Sequence, residues 1–186
     1  MEQRKPIPDP YWPVIDGCLK NDRLAQKTMY DRLASRMYPV CIRYVGDREL
    51  AKDILHDGFI TLFSKLHTYR RDGSFEGWAR RIFINTALMQ LRKDDVLKFS
   101  QELESAESMH STSGLAIENM ETKTLLNIIM SMPAGYRTVF NMYAIEGYSH
   151  SEIAKALGIT ESGARSQFSR ARAWLQEKLR REEYGR

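Results

Sequence analysis

The stretch from Ser149 to Thr160 constrains the fold more than any other part of the chain. Ser149-His150-Ser151-Glu152 has the spacing of a capping box, in which the Ser149 hydroxyl accepts from the Glu152 amide while the Glu152 carboxylate reaches back to the Ser149 amide. A short helix should follow, with Ile153, Ala154 and Leu157 on its inner face. Gly158 permits a tight turn, Ile159 fills the gap between helices, and Thr160 caps a second helix. These are the parts of a helix-turn-helix in their working order.

In the second helix Ala164, Phe168, Ala171, Leu175 and Leu179 recur every three or four residues, so they are expected to face the core. That phase turns Ser162, Arg165, Ser166, Ser169 and Arg170 outward. Small residues let such a helix sit deep in a major groove, Arg165 or Arg170 can bond a guanine edge, and the helix amino terminus favours a phosphate. The bland alternative is a surface helix with solvated arginines. Any one element would leave that alternative ahead; the capping box, glycine turn, second cap and basic outer face together favour DNA.

The remaining sequence reads as all-helical, in two small domains joined by a flexible acidic linker. Residues 1–20 form a tail or docking arm, because Pro6, Pro8, Pro10 and Pro13 each remove an amide donor and restrict the preceding residue. Residues 21–93 form the first domain. Within it Tyr30, Leu33, Met37, Cys41 and Tyr44 mark one helical stripe, with a kink expected at Pro39 and a stop at Gly46. Leu50, Ala51, Ile54, Leu55, Gly58, Phe59, Leu62, Phe63 and Leu66 mark a second, broad enough to be largely buried. Thr68 to Gly73 reads as a loop. Ser74 can cap a third helix running to about Lys93, with Trp78, Ile82, Thr86 and Met89 pointing inward.

Residues 94–121 change character: five serines, little apolar periodicity, and seven acidic side chains against Lys98 alone. The segment carries a net −6, which leaves +10 on the rest of a chain whose total is +4. This composition suits a solvated linker. The helical stripe resumes in the second domain, 122–186, at Leu125, Ile129 and Met132, continues after Pro133 through Val139, Phe140 and Tyr143, and stops at Gly147.

Cys18 and Cys41 are the only cysteines. They lie far apart outside any CxxC context, which points to a reduced intracellular chain and gives no support for zinc. No apolar run approaches the roughly 18 to 20 residues that span a bilayer, and the start lacks the cationic and apolar stretches of a signal peptide. A cytoplasmic location is expected.

Two separated stretches, about 24–93 and 125–179, resemble the bacterial RNA polymerase sigma factors, specifically the extracytoplasmic-function group of the sigma-70 family. In the first, Ala51-Lys52-Asp53-Ile54-Leu55-His56-Asp57-Gly58-Phe59-Ile60 is similar to the family's core-binding helix. Phe75 through Trp78, Ile82 and Asn85 to Arg92 resemble its promoter-melting helix. In the second, Leu126 to Met132-Pro133, Tyr136-Arg137, Glu146-Gly147-Tyr148-Ser149, Glu152-Ile153-Ala154 and Ser169-Arg170-Ala171-Arg172 follow its pattern for reading the upstream promoter element. Two matches in family order across a variable linker are far more specific than a lone helix-turn-helix.

The resemblance implies roles. Asp53, His56, Asp57 and Ile60 share one helix face, which in the family docks on the clamp helices of the polymerase's largest subunit; the flap of the second-largest subunit is a further expected contact. An isoleucine rimmed by acids suits a partner surface. Tyr69 and the loop Arg70 to Ser74 occupy the position that captures a flipped base of the downstream element, where an aromatic ring can stack on the base and Arg70 and Arg71 can hold phosphates. Asn85 offers directional bonds, and Arg80, Arg81, Arg92 and Lys93 supply positive charge. Trp78 fits core packing better than strand contact, given its spacing with Ile82. Ser162, Arg165, Ser166, Ser169 and Arg170 fall to the upstream element. The sequence departs from the family's pattern at His56, where glutamine is usual, and at Gly163-Ala164 and Gln167, where Thr-Val and a basic residue are usual.

The expected protein is a sigma factor, not an enzyme, and needs no cofactor. Its partners are core polymerase, promoter DNA and an anti-sigma factor, with no membrane insertion, and it is a monomer when free. A stand-alone helix-turn-helix regulator is the alternative; it would require a dimerisation surface or effector pocket, and neither is evident. A nuclease fares worse, since no nucleophile elbow or glycine-rich phosphate loop is present. A metal site at Asp53, His56 and Asp57 would lack further ligands. The acidic linker fits equally a tether and a strand threading the polymerase's RNA path.

Overall fold

Helix boundaries follow the chain's own punctuation. In the computed structural model, which describes residues 9–93 and 120–184, every regular element of the described residues is helical. The chain divides into two compact units, Met1–Cys41 with Arg48–Gln90, and Ile42–Asp47 with Leu91–Arg186. Most of the acidic segment, residues 94–119, lies outside the described residues, as do residues 1–8 of the proline-bearing start.

The expected tail is helical in its second half. Helix α1 spans Trp12–Leu19 with Pro13 in its first turn, where a missing amide costs nothing because that donor has no intrahelical partner. Asn21 takes a left-handed conformation, φ 59°, and the Asp22 carboxylate then accepts from the amides of Leu24, 2.8 Å, and Ala25, 3.2 Å. This cap starts α2, Arg23–Val45, which runs through Pro39. Gly46, φ 72°, ends it. Helix α3, Arg48–Lys65, closes in a 3-10 turn at Leu66–Thr68. After the loop 69–74, α4 covers Phe75–Lys93; its cap is Ser74, whose hydroxyl accepts from the Gly77 amide at 3.3 Å.

The first unit is built on Met29, Leu33 and Met37 of α2, Ala51, Ile54 and Leu62 of α3, and Phe75, Ala79, Phe83, Ala87 and Leu88 of α4, all at most 2% exposed. Phe59 of α3 lies 4.4 Å from the ring of Tyr30 and meets Phe83 edge-on at 5.1 Å. Two side chains expected inside lie outside: Met89 is 68% exposed and Tyr30 44%. Alpha-helical phase explains both, because the buried stripes pass through their neighbours Leu88 and Met29.

In the second unit α5, Met120–Ser131, stops at Pro133, and α6, Ala134–Phe140, runs into a π-helical turn, Asn141–Ile145. The Glu146 amide bonds the Asn141 carbonyl, and Gly147, φ 76°, turns the chain. Helices α7, His150–Leu157, and α8, Glu161–Tyr184, complete the unit, with α5, α6 and α7 packed on α8. The buried face of α5 is Leu126, Ile128 and Ile129, whereas Leu125 is 44% exposed.

Arg137 is a buried cation in this unit. Its Nη1 donates to the carbonyls of Met130, 2.8 Å, and Met132, 2.9 Å, which the ending of α5 leaves without helical partners. Burial lowers its pKa to about 10, so it remains charged near neutral pH.

Candidate nucleic-acid interface

The helix-turn-helix forms as its spacing requires. The Ser149 hydroxyl accepts from the Glu152 amide at 3.2 Å, and the Glu152 carboxylate accepts from the Ser149 amide at 2.8 Å. Gly158 is left-handed, φ 68°, and the Thr160 hydroxyl accepts from the Gly163 amide at 3.0 Å. The Gly163 amide is therefore committed to its cap, and an anion at the start of α8 would meet the other first-turn donors.

Ala164 and Ala171 are fully buried, and Phe168 packs 4.3 Å from the ring of Tyr143, on which the His150 imidazole stacks at 4.3 Å and 9°. The opposite face carries Ser162, Arg165, Ser166, Ser169 and Arg170, all exposed. Arg165 is paired with Glu161 one turn earlier, an exposed contact that a phosphate or base can displace at little cost. The inward stripe ends earlier than expected: Leu175 is half-buried and Leu179 is 37% exposed.

On α3, Asp53, His56, Asp57 and Ile60 are all exposed on one side, Ile60 by 57%. The opposite side is buried, with Gly58 beneath the Phe83 ring. Among the described residues no three His, Cys, Asp or Glu side chains gather in a way that can hold a metal ion.

The loop before α4 is ordered by aromatic contacts. The Tyr69 ring lies 5.2 Å from Phe75 and 5.3 Å from Trp78, and its hydroxyl donates to the Gly73 carbonyl. Desolvation of the half-buried ring raises the phenol pKa, so it remains a neutral donor at physiological pH. Trp78 is half-buried, its ring in the cluster with Tyr69 and Phe75. Arg70 and Ser74 are exposed, Arg71 is half-exposed, and along α4 Arg81, Asn85, Arg92 and Lys93 are exposed while Arg80 is half-buried.

Three residues that support this loop were not anticipated, because they lie in the supposed tail. Asp9 accepts from the amides of Tyr11, 2.9 Å, and Phe75, 3.0 Å, and so joins the chain's start to the first turn of α4. Asp16 forms an ion pair with Arg71, whose guanidinium lies 5.7 Å from the ring centre of Trp12. An acid just before a helix start is a weak signal by itself, and nothing local links it to Phe75.

A helix-turn-helix with a basic outer face, together with a second helical unit bearing an aromatic loop and an exposed isoleucine rimmed by acids, defines the class of a DNA-binding protein. Residues 29–96 match the family described as Sigma-70 region 2, and residues 122–175 the one described as Sigma-70, region 4. The chain belongs to the extracytoplasmic-function group of the sigma-70 family: it is an RNA polymerase sigma factor, binding core polymerase and promoter DNA.

Among similar curated proteins is the ECF RNA polymerase sigma factor SigE of Mycolicibacterium smegmatis, 28% identical over 156 residues, covering 78% of this chain and 58% of that protein. The RNA polymerase sigma-H factor of Pseudomonas aeruginosa is 24% identical over 177 residues, covering 89% and 92%. Similar solved structures include CnrH in complex with the cytosolic domain of CnrY, TM-score 0.49 at 19% identity, covering 90% of this chain and 95% of that one. Another is the sigma factor RpoE in complex with the anti-sigma factor NepR from Bartonella quintana, TM-score 0.49 at 20% identity, covering 83% and 96%. Among the described residues no helix is long and apolar enough to cross a membrane.

Proposed function

We propose that residues 21–93 form a domain that docks on polymerase through Asp53, His56, Asp57 and Ile60 and captures the melted strand, and that residues 122–186 form a domain that grips the upstream element. Residues 94–121 link them. The observation that carries this reading is the exposure of all four α3 residues on a helix whose other side is core. An exposed isoleucine between carboxylates matches the apolar centre and polar rim of a protein interface, and the clamp helices of the largest subunit are the partner assigned to it. The flap of the second-largest subunit is assigned to the second domain.

Strand capture falls to Tyr69, Arg70, Arg71 and Ser74, aided by Arg80, Arg81, Asn85, Arg92 and Lys93. Tyr69 and Trp78 present adjoining rings, and stacking on such rings is worth about 1–3 kcal/mol per base. That is of the same order as the few kcal/mol needed to unstack a base, so opening is driven by binding and requires no covalent chemistry. Upstream reading falls to Ser162, Arg165, Ser166, Ser169 and Arg170 of α8. The free protein is a cytoplasmic monomer, and an anti-sigma factor, the kind of partner present in the solved RpoE complex, is its regulator.

The test is transcription in vitro with sigma-free bacterial core polymerase on a genomic promoter pool. Initiation at discrete sites that depends on the added chain is expected. It should be lost with Asp53→Ala/Asp57→Ala through core docking and with Arg165→Ala/Arg170→Ala through upstream binding. A dimer that binds duplex DNA without supporting initiation overturns the assignment.

A further inference from the structure

Arg71 is the only residue of the loop 69–74 with a left-handed backbone, φ 61°, a conformation that side chains bearing a Cβ rarely keep unless the surroundings hold it. Here the surroundings come from α1. The Arg71 guanidinium is paired with the Asp16 carboxylate and lies over the Trp12 ring. The far end of the loop is held from the same segment: Asp9 accepts from the Phe75 amide, and Tyr11 packs 5.1 Å from the Phe75 ring, which in turn contacts Tyr69. Both ends of the loop are thus fastened to residues 9–16.

We propose that Trp12 and Asp16 are positioning residues for strand capture: they hold Arg71, and through it the loop, in the shape that presents Tyr69 to an unpaired base. The inference rests on the assignment of this loop to the melted strand, and it divides the two arginines. Arg70 is exposed and meets the phosphates. Arg71 is neutralised by Asp16 and acts on the loop, contributing shape in place of charge.

The division has a thermodynamic signature. Each phosphate contact to a single strand adds about 0.7 to the slope of log affinity against log salt, because a bound counterion is released. A residue that only shapes the loop changes affinity and leaves the slope alone. If Arg71 instead held a phosphate, Asp16 would compete with the DNA and its removal would tighten binding.

Holoenzyme assembled from the full chain and core polymerase is titrated across a salt series with a forked DNA taken from a start site mapped by transcription. Asp16→Asn and Arg71→Ala should each weaken binding about tenfold, the loss of one held base, with the wild-type slope retained. The double variant should be no weaker than either single one, since both remove the same contact. Arg70→Ala should lower the slope by about 0.7. Asp16→Arg combined with Arg71→Asp should recover binding, and cooperative thermal melting of Asp16→Asn, lowered no further than the loss of one exposed ion pair requires, separates these effects from misfolding. Tighter binding by Asp16→Asn, or a lowered slope for Arg71→Ala, overturns the proposal. A wild-type holoenzyme that binds the fork no better than duplex DNA instead overturns the assignment of the loop.

Discussion

Gly58 of α3 sits against Phe83 of α4 so closely that a Cβ on the glycine would lie 2.3 Å from Phe83 Cδ1. Phe83 is fully buried and also meets Phe59, so its ring has no room to retreat. Alanine at position 58 would gain about 1 kcal/mol of helix propensity but overpack the core by about 1–3 kcal/mol. Gly58→Ala should therefore destabilise the chain on balance, and Phe83→Ala should cost about 3–5 kcal/mol by leaving a cavity. Urea unfolding of both variants checks the pair; a more stable Gly58→Ala would mean that the ring has somewhere to go.

The capping box at the start of α7 predicts a smaller loss. Ser149→Ala removes the acceptor of the Glu152 amide and should cost about 1 kcal/mol. Because the contact is local to the helix-turn-helix, binding of duplex promoter DNA should weaken only as far as folding does. Ser149→Asp, which keeps an acceptor and places a negative charge at the helix amino terminus, should restore stability.

Arg137 predicts a larger one. Replacing it with methionine conserves much of the volume but strands the Met130 and Met132 carbonyls, which it bonds at 2.8 and 2.9 Å. At about 1–3 kcal/mol per buried unsatisfied group, a loss of about 2–6 kcal/mol is expected, and Arg137→Lys should recover little because a single ammonium lacks the guanidinium's fork. Its pKa, held to about 10 by burial, lies below the ordinary guanidinium range. Above about pH 10 the unfolded chain keeps a proton that the folded chain releases, so this group makes stability rise with pH there and adds no slope near neutrality. Thermal melting against pH checks the sign.

What could be read in advance divides by range. Ser149, Glu152, Gly158 and Thr160 act on neighbours within a few residues, and each forms the contact its spacing implies. The α3 stripe was legible because Ala51, Ile54, Leu55, Phe59 and Leu62 leave one clear exposed side. Met89 and Leu179 were misplaced because a stripe extended from a partial set drifts in phase or outruns the unit that covers it. Asp9, Trp12 and Asp16 were not legible at all: the prolines around them suggested an arm without fixed structure, and their partners Phe75 and Arg71 lie more than fifty residues away.

The backbone at Arg71 separates two contributions that a single substitution usually mixes. Its left-handed conformation costs a side-chain residue about 1–2 kcal/mol, and its ion pair with Asp16, half-exposed at 37% and 54% of the two side chains, returns at most about 1 kcal/mol. Arg71→Gly removes both the strain and the pair, so the folded chain should be as stable as the wild type or slightly more so. Arg71→Ala keeps the strain and loses the pair, so it should be the less stable of the two. Yet both variants lack the guanidinium between Trp12 and Asp16, and both should capture the forked strand poorly. Melting temperatures and fork affinities measured on the same three proteins would therefore move in different orders. If affinity instead tracks stability across the series, Arg71 is merely a structural residue of the loop.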